Sequence, residues 1–200
     1  MAVLMLITGG IGSGKSYVSK VFSAMGVPVY DTDDRTKALY TENSELLEKL
    51  KFLLGEQVVS DGKLNREYMA SRLFGNRELM DSLEQLVYPY LLEDIKMWKS
   101  GKCAEGVSFM ILESAILLEK PIFEGCYDKV LTVRAPMELR ISRAMARTNV
   151  SRESIVARIS NQWSDEQRVA LSDFVIESDS QQAILPQVVK VYNELTNSNL

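Results

Sequence analysis

Short apolar runs alternate with longer segments of helical periodicity along most of the chain. The runs have the length and the Val, Ile and Leu content of strands that are covered on both faces. Five are found, at residues 3–8, 27–30, 107–112, 129–133 and 174–176. Because amphipathic helical segments lie between them, the order of elements is that of an α/β protein. The pattern therefore predicts a parallel five-stranded sheet flanked by helices.

One long stretch, residues 34–102, departs from this alternation. Leucine and phenylalanine recur there at helical spacing and no convincing core strand occurs, so we predict a helical insertion after the second strand. Helices within it are predicted to begin near Asn65 and Asn76, and Pro89 is predicted to bend or restart one. At the other end of the chain, residues 193–200 are predicted to form an irregular tail.

A second helical stretch, residues 136–171, is rich in arginine. Arg140, Arg143 and Arg147 step by three and four positions, so they project from one helix face. On spacing alone this face is either a solvated basic surface or part of a mobile lid whose arginines close over phosphates and exclude water. A capping-box pattern, Ser164 to Gln167, predicts a further helix start.

A glycine-rich turn follows the first strand. Its sequence, Gly-Gly-Ile-Gly-Ser-Gly-Lys-Ser at 9–16, has the spacing of a phosphate-binding P-loop, and a helical pattern follows it. Glycines let successive backbone N–H groups point inward, lysine adds a positive charge, and the serine hydroxyl suits Mg²⁺. The predicted ATP-binding residues are Gly10, Ile11, Gly12, Ser13, Gly14, Lys15, Ser16 and Tyr17, and Ser16 is the predicted metal ligand.

The composition excludes several classes of function and limits the residues that can act as a general base. A formal charge of −4 and a pI near 5.1 argue against a protein that coats nucleic acid, and 46% hydrophobic residues allow one good core. No apolar run approaches the length of a membrane span. Two unpatterned cysteines indicate reduced thiols in a cytosol. Because the chain contains no histidine, a general base must be a carboxylate or, failing that, Lys, Tyr or Cys.

Three carboxylates, Asp31, Asp33 and Asp34, follow the second predicted strand. Ligands gather beyond the carboxyl ends of parallel strands, so these acids are predicted to lie near the P-loop. One of them can accept the proton of an attacking hydroxyl or hold Mg²⁺ through water, and Asp33 or Asp34 can equally cap a helix. Glu113, after the third strand, is either a magnesium partner or a solvated acid.

A P-loop alone does not define a reaction. The guanine-reading Asn-Lys-x-Asp and the Asp-x-x-Gly of switch GTPases do not occur in the sequence. Small size, a helical insertion and an arginine-rich segment favour a small-molecule kinase. The acceptor of such a kinase could be a nucleoside, a nucleotide or a sugar-like alcohol. An ATP-binding regulatory module without an acceptor also stays open.

Over nearly its whole length the sequence resembles the dephospho-CoA kinase family. The resemblance rests on residues 6–16, the Asp-Thr-Asp at 31–33, segments at 64–66, 83–84 and 113–119, the lid series Arg143, Arg147, Arg158 and Gln162, and Ser-Asp-Phe-Val-Ile at 172–176. The chain departs from the family pattern at Tyr88, Ala115, Thr148 and Ser178, where histidine, proline, aspartate and asparagine are usual.

The resemblance implies transfer of the γ-phosphoryl group of ATP to the ribose 3′-hydroxyl of dephospho-CoA, with Mg²⁺, by a cytoplasmic monomer with no membrane or nucleic-acid partner. It implies a P-loop kinase fold with a nucleotide-binding core of 1–33, 103–135 and 172–200, a CoA-binding domain of 34–102 and a lid of 136–171. The implied catalytic residues are Asp33, as base, Lys15, Arg143 and Arg147, and the implied substrate contacts are Thr8, Asp33, Arg66 and Tyr88.

Overall fold

The computed structural model describes residues 2–60, 62–147 and 150–197. Thr148, one of the departures from the family pattern, lies outside them. The chain divides into two compact units, one of Met1–Asp31 with Lys99–Leu200 and the other of Thr32–Trp98. The second unit takes in most of the predicted insertion at 34–102.

Helices and strands follow one another as an α/β chain with a mainly helical insertion. In chain order they are β1 (Val3–Thr8), α1 (Lys15–Ala24), β2 (Val29–Asp31), α2 (Thr32–Glu42), α3 (Ser44–Leu54), β3 (Val59–Ser60), β4 (Lys63–Leu64), α4 (Arg66–Leu73), α5 (Arg77–Ala104), β5 (Phe109–Glu113), β6 (Lys129–Arg134), α6 (Met137–Arg147), α7 (Arg152–Ser160), α8 (Asp165–Val169), β7 (Phe174–Glu177) and α9 (Ile184–Asn197).

A five-stranded sheet in the order β2-β5-β1-β6-β7 forms the centre of the first unit, and all its neighbouring strands are parallel. This confirms the predicted sheet. In β1, Leu6 lies opposite Leu112 of β5 and Val130 of β6. The interior of β1 is fully buried because helices cover both faces. All five strands therefore end at one edge, directly before the loops that build the site.

Two strands begin two residues later than predicted, for local reasons. β2 begins at Val29 rather than at residue 27, because Pro28 has no N–H to donate to a ladder. β5 begins at Phe109 rather than at residue 107, because the Val107 N–H instead donates to Lys102 O at the end of α5, at 3.0 Å. Each of β2, β5, β6 and β7 ends one residue later than predicted, at Asp31, Glu113, Arg134 and Glu177.

The last helix corrects the prediction for the end of the chain. Residues 193–197 were predicted to be irregular, but α9 continues to Asn197. Val188, Val191 and Leu195 recur at helical spacing and pack into the core cluster with residues of the sheet and of α1. Burial of this stripe stabilises the last turns, although the surrounding sequence is polar.

The second unit consists of α2, α3, α4, the larger part of α5 and a short antiparallel pair, β3 with β4. The predicted helix starts near Asn65 and Asn76 are confirmed. The Asn65 side chain accepts from Tyr68 N at 3.1 Å, and the Asn76 side chain accepts from Leu79 N at 3.0 Å. Both bonds satisfy amide groups that a first helical turn leaves unpaired.

The predicted restart of a helix at Pro89 is wrong, since α5 runs through it from Arg77 to Ala104. Proline removes one backbone donor, but a continuous buried stripe on both sides keeps the helix packed. The stripe consists of Leu83, Val87, Leu91 and Ile95. Among the described residues, no helix has both the length and the apolar character needed to cross a membrane.

Residues 136–171 form α6, α7 and α8. Ile141, Ala144 and Ile155 make a small buried cluster between the first two of these helices, and the P-loop residue Ile11 packs against it. The predicted capping box is confirmed at α8, where Gln167 N donates to the Ser164 hydroxyl at 3.2 Å and Ser164 N donates to the Gln167 side chain at 2.8 Å.

Candidate active site

The P-loop lies between β1 and α1, at the carboxyl edge of the sheet. Gly14 precedes the helix with φ 104°, in the left-handed region, and accepts from Tyr17 N at 3.0 Å and Val18 N at 3.1 Å. Only glycine adopts this conformation without strain, so the motif glycine is needed for the loop to turn directly into the helix. The positive end of the α1 dipole therefore lies at the loop.

A cavity of about 610 Å³ opens beside the P-loop. This is the size of a small-ligand site. It is lined by three segments of the first unit: the P-loop with the start of α1, the end of α6, and the segment from β7 into α9. The lining residues are Gly12, Gly14, Lys15, Ser16, Tyr17, Lys20, Arg143, Ala146, Arg147, Ser178, Ser180, Gln182 and Ile184. Four of these side chains are cationic, so the cavity favours a strongly anionic ligand.

The structure brings the two predicted catalytic arginines, Arg143 and Arg147, to this cavity. Arg143 donates to Ser178 Oγ at 3.0 Å, to Ser180 Oγ at 3.3 Å and to the Ser13 carbonyl at 3.4 Å. Arg147, one turn further along α6, is exposed at the cavity's edge. Arg140, on the same face, has a side chain only 7% exposed. Arg140 and Arg143 therefore do not belong to a solvated basic surface, whereas Arg147 is exposed. That residues 136–171 act as a lid stays a prediction.

The motif serine contacts a carboxylate. Ser16 Oγ donates to Glu113 Oε1 at 2.5 Å, and Glu113 ends β5 with only 7% exposure. The alternative of a solvated Glu113 is therefore wrong. A hydroxyl beside a buried carboxylate is an oxygen donor set that suits Mg²⁺, which keeps several waters and binds phosphate oxygens. Within the described ranges no three Asp, Glu or Cys residues are grouped to hold a metal.

Some predicted nucleotide-binding residues lie on the buried side of the loop. Gly10 and Ser13 are buried, and Ile11 packs against the cluster around Ile141. Thr8 is fully buried, and its hydroxyl finds no hydrogen-bond partner among residues 2–60, 62–147 and 150–197. Contacts of these residues with nucleotide or substrate stay predictions.

The other predicted site residues belong to the second unit. Asp33 lies in the first turn of α2, which directly follows β2. Arg66 is exposed as the first residue of α4, and Tyr88 is half-buried on α5. Asp31, the last residue of β2, lies opposite Glu113 in the sheet. The roles of Asp33, Arg66 and Tyr88 stay predictions.

Sequence reasoning missed the cavity residues after β7. Ser180 has φ 69°, an uncommon conformation for a residue other than glycine. Asp179 Oδ1 fixes this turn by accepting from Gln181 N at 2.9 Å and Gln182 N at 3.0 Å. The Asp-Ser-Gln-Gln string carries an Asx-turn signal, yet nothing in it indicates which side chains face a ligand.

Comparisons with known proteins agree on one family. The sequence model of the dephospho-CoA kinase family matches residues 3–183. A dephospho-CoA kinase of Bacteroides fragilis strain YCH46 is 39% identical over 191 residues, which cover 96% of this chain and 92% of the relative. A crystal structure of TT1252 from Thermus thermophilus superposes with a TM-score of 0.81 at 33% identity, covering 96% of this chain and 97% of that one. The dephospho-CoA kinase from Campylobacter jejuni gives a TM-score of 0.64 at 25% identity, with 96% of each chain covered.

Proposed function

We propose, because this chain belongs to the dephospho-CoA kinase family, that it transfers the γ-phosphoryl group of ATP to the ribose 3′-hydroxyl of dephospho-CoA, giving CoA and ADP. The observation that carries the proposal is the cationic cavity around the P-loop, where Lys15 and Ser16 meet Arg143 and Arg147. Phosphoryl transfer is catalysed mainly by positioning and by electrostatic stabilisation, and this cavity supplies the charges for both.

The P-loop and the two arginines act on the phosphates. Backbone N–H groups of residues 12–16 cradle the β-phosphate at the start of α1, and the Lys15 ammonium contacts the β- and γ-phosphates. Arg143 and Arg147 stabilise the charge that develops on the transferring group. Arg143 is already held at the loop by Ser178 and the Ser13 carbonyl, so little reorganisation is needed.

Ser16 and Glu113 form the side of the site that would hold Mg²⁺. The ion, when bound, neutralises charge on the outer phosphates. Ser16 Oγ is oriented by its bond to Glu113, and Glu113 is fixed in the sheet. The carboxylate therefore aligns the hydroxyl, as outer partners of a metal ligand commonly do.

Asp33 acts as general base on the acceptor. It accepts the proton of the ribose 3′-hydroxyl while the oxygen attacks the γ-phosphorus. Its place in the first turn of α2, directly after β2, supports this role, because catalytic groups of parallel sheets collect beyond the strand ends. General-base assistance is worth about 10²–10⁴-fold in rate.

The second unit binds the acceptor, with contacts from Arg66 and Tyr88, and residues 136–171 act as a lid that excludes water. Exclusion matters because water competes with the ribose hydroxyl for the phosphoryl group. The proposed site needs residues of one chain only, so a monomer suffices for activity. Cys103 and Cys126 are not in a disulfide, which is consistent with a cytoplasmic setting.

A coupled ADP-release assay with a panel of acceptors tests the function. Release that depends on dephospho-CoA supports it. Preference for a nucleoside, nucleotide or sugar alcohol would instead indicate another small-molecule kinase, and ATP binding without stimulated turnover would indicate a regulatory module.

A pair of variants tests the base. Asp33→Asn should retain ATP binding and lose about 10²-fold or more in turnover. Asp34→Asn is the matched neighbour: it removes an exposed carboxylate that pairs with Lys37 at 2.7 Å, and turnover should be retained. Equal turnover of Asp33→Asn and the unmodified protein would reject Asp33 as the base.

A further inference from the structure

Ile11, in the middle of the P-loop, contacts residues 136–171 through its N–H, its carbonyl and its side chain. Its N–H donates to Gln162 Oε1 at 2.9 Å, and its carbonyl accepts from Arg140 Nε at 3.0 Å. Its side chain packs against the cluster around Ile141. The main-chain N–H and carbonyl of Ile11 are thus both hydrogen-bonded to residues 136–171, on the side of the loop away from the cavity.

Arg140 is buried at the back of the loop. Its side chain is 7% exposed, and its Nη1 contacts Asp165 Oδ1 at 3.3 Å. Its Nη2 has no hydrogen-bond partner among the described residues and lies against the α-carbon of Gly10. A buried guanidinium is costly unless it is paired, so Asp165 and the Ile11 carbonyl keep Arg140 in this position.

The space occupied by Arg140 limits the side chains at two positions of the loop, Gly10 and Gly12. A Cβ atom on Gly10 would collide with the guanidinium, 2.6 Å from Cζ, although the backbone of Gly10 is not in the left-handed region. The general P-loop pattern leaves position 10 open. A Cβ atom on Gly12 would instead collide with the main chain of Arg140, 2.9 Å from its Cα.

We propose that Arg140 is a positioning residue for nucleotide binding. Its guanidinium fills the space that a side chain at position 10 would take, and it holds the Ile11 carbonyl so that Gly12, Gly14, Lys15 and Ser16 line the cavity. The inference rests on the proposed function only in that the P-loop binds MgATP. It is therefore tested through nucleotide affinity, without an acceptor.

The first test replaces the arginine. Arg140→Gln should weaken MgATP binding in calorimetry by about tenfold, the loss of one charge-assisted hydrogen bond. The KM for dephospho-CoA should change by less than about twofold. Arg140→Lys, which keeps the charge, should recover part of the affinity. Arg152→Gln is the matched control, because Arg152 pairs with Glu138 on the surface, and it should retain full affinity.

A merely structural role predicts a different result. Arg140→Gln would then lower the melting temperature, while the folded variant would bind MgATP with unchanged affinity. That result would overturn the proposal.

The second test is a double-mutant cycle with position 10. Gly10→Ala should displace the guanidinium and weaken MgATP binding about as much as Arg140→Gln. In the double variant the two losses should not add, because the shorter glutamine leaves room for the methyl group. Gly12→Ala is the control: its collision is with backbone and its φ is 77°, so its loss should add to that of Arg140→Gln.

Each outcome of the double-mutant cycle either supports or overturns the positioning role of Arg140. Additive losses at positions 10 and 140 would overturn the proposal. Full affinity of Gly10→Ala would also overturn it, and this result can be obtained even where Arg140→Gln does not fold. If the cycle is non-additive but dephospho-CoA does not stimulate turnover, the positioning role stands and the proposed acceptor is wrong.

Discussion

A buried ion pair joins α8 to the short helical turn Leu117–Glu119 after β5. Removing this pair should markedly lower the melting temperature of the protein. Arg168 Nη2 donates to Glu119 Oε1 at 2.6 Å, and the same oxygen accepts from Trp163 N at 3.2 Å. The Arg168 side chain is fully buried and the Glu119 side chain is 10% exposed. Glu119→Gln would leave the guanidinium in the interior with Asp165 as its nearest carboxylate, at 3.5 Å.

The magnitude follows from the loss of the nearer partner of a buried charge, since Asp165 stays at 3.5 Å from Arg168. Breaking a buried pair by changing one partner costs about 3–5 kcal/mol, and glutamine retains an acceptor oxygen, so we expect about 3 kcal/mol. At roughly 2–4 °C for each kcal/mol in a chain of this size, the melting temperature should fall by about 6–12 °C. Arg168→Met combined with Glu119→Leu removes both charges and should recover most of the loss, because apolar residues can replace a buried pair at little cost.

Calorimetry and circular dichroism measure the melting temperature, and tryptophan fluorescence gives a local reading. The chain has two tryptophans, so a Trp98→Phe background reports Trp163 alone. Glu138→Gln is the control, since it breaks an exposed pair with Arg152 and should leave the melting temperature unchanged. If the melting temperature of Glu119→Gln falls by less than about 2 °C, the reasoning is refuted. It is also refuted if the doubly apolar variant loses as much in melting temperature as Glu119→Gln.

Three further changes test other parts of the account. Lys15→Ala should weaken MgATP binding and lower turnover, each by tenfold or more, as calorimetry and the ADP-release assay would measure, because a point charge at the phosphates is lost; intact binding would contradict the P-loop assignment. Glu113→Gln should raise the Mg²⁺ concentration for half-maximal rate by about tenfold in a metal titration; an unchanged value would exclude this carboxylate. Burial opposes ionisation of Asp173, but hydrogen bonds from Lys129 and Val130 N outweigh it and lower the pKa of the carboxyl. The stabilisation is therefore present at neutral pH and lost as the pH falls from about 5 through the lowered pKa, so Asp173→Asn should unfold more readily at pH 7 and show a shallower acid dependence of melting temperature; parallel curves would contradict this.

The fold class was readable from the sequence because a buried parallel strand carries its own signal. Strand runs of Val, Ile and Leu at the predicted positions became the sheet, and the family and fold class are confirmed. The errors concern helices that packing stabilises against local signals. Pro89 and the polar residues after 193 both argue for an interruption, but the buried stripes of α5 and α9 outweigh them.

The sequence predicts site residues only where one short segment contains the residues that act together. Lys15 and Ser16 follow from the motif, whereas the spacing of Arg143 and Arg147 left open whether they are solvated or face phosphates, and the family resemblance assigned them to the site. The partner of Ser16, by contrast, comes from a strand about a hundred residues away, and no local pattern distinguished a buried Glu113 from a solvated one. The need for glycine at position 10 arises likewise from a distant arginine, whose place only the folded chain defines.

The most direct test of the central claim follows the γ-phosphoryl group itself. ATP labelled at the γ-phosphorus is incubated with the protein, Mg²⁺ and dephospho-CoA, and the labelled product is isolated and its phosphoester position assigned by ³¹P NMR. The account predicts the label as a monoester on the ribose 3′-oxygen. Label found as inorganic phosphate beside unchanged dephospho-CoA, or on a different hydroxyl, would contradict it.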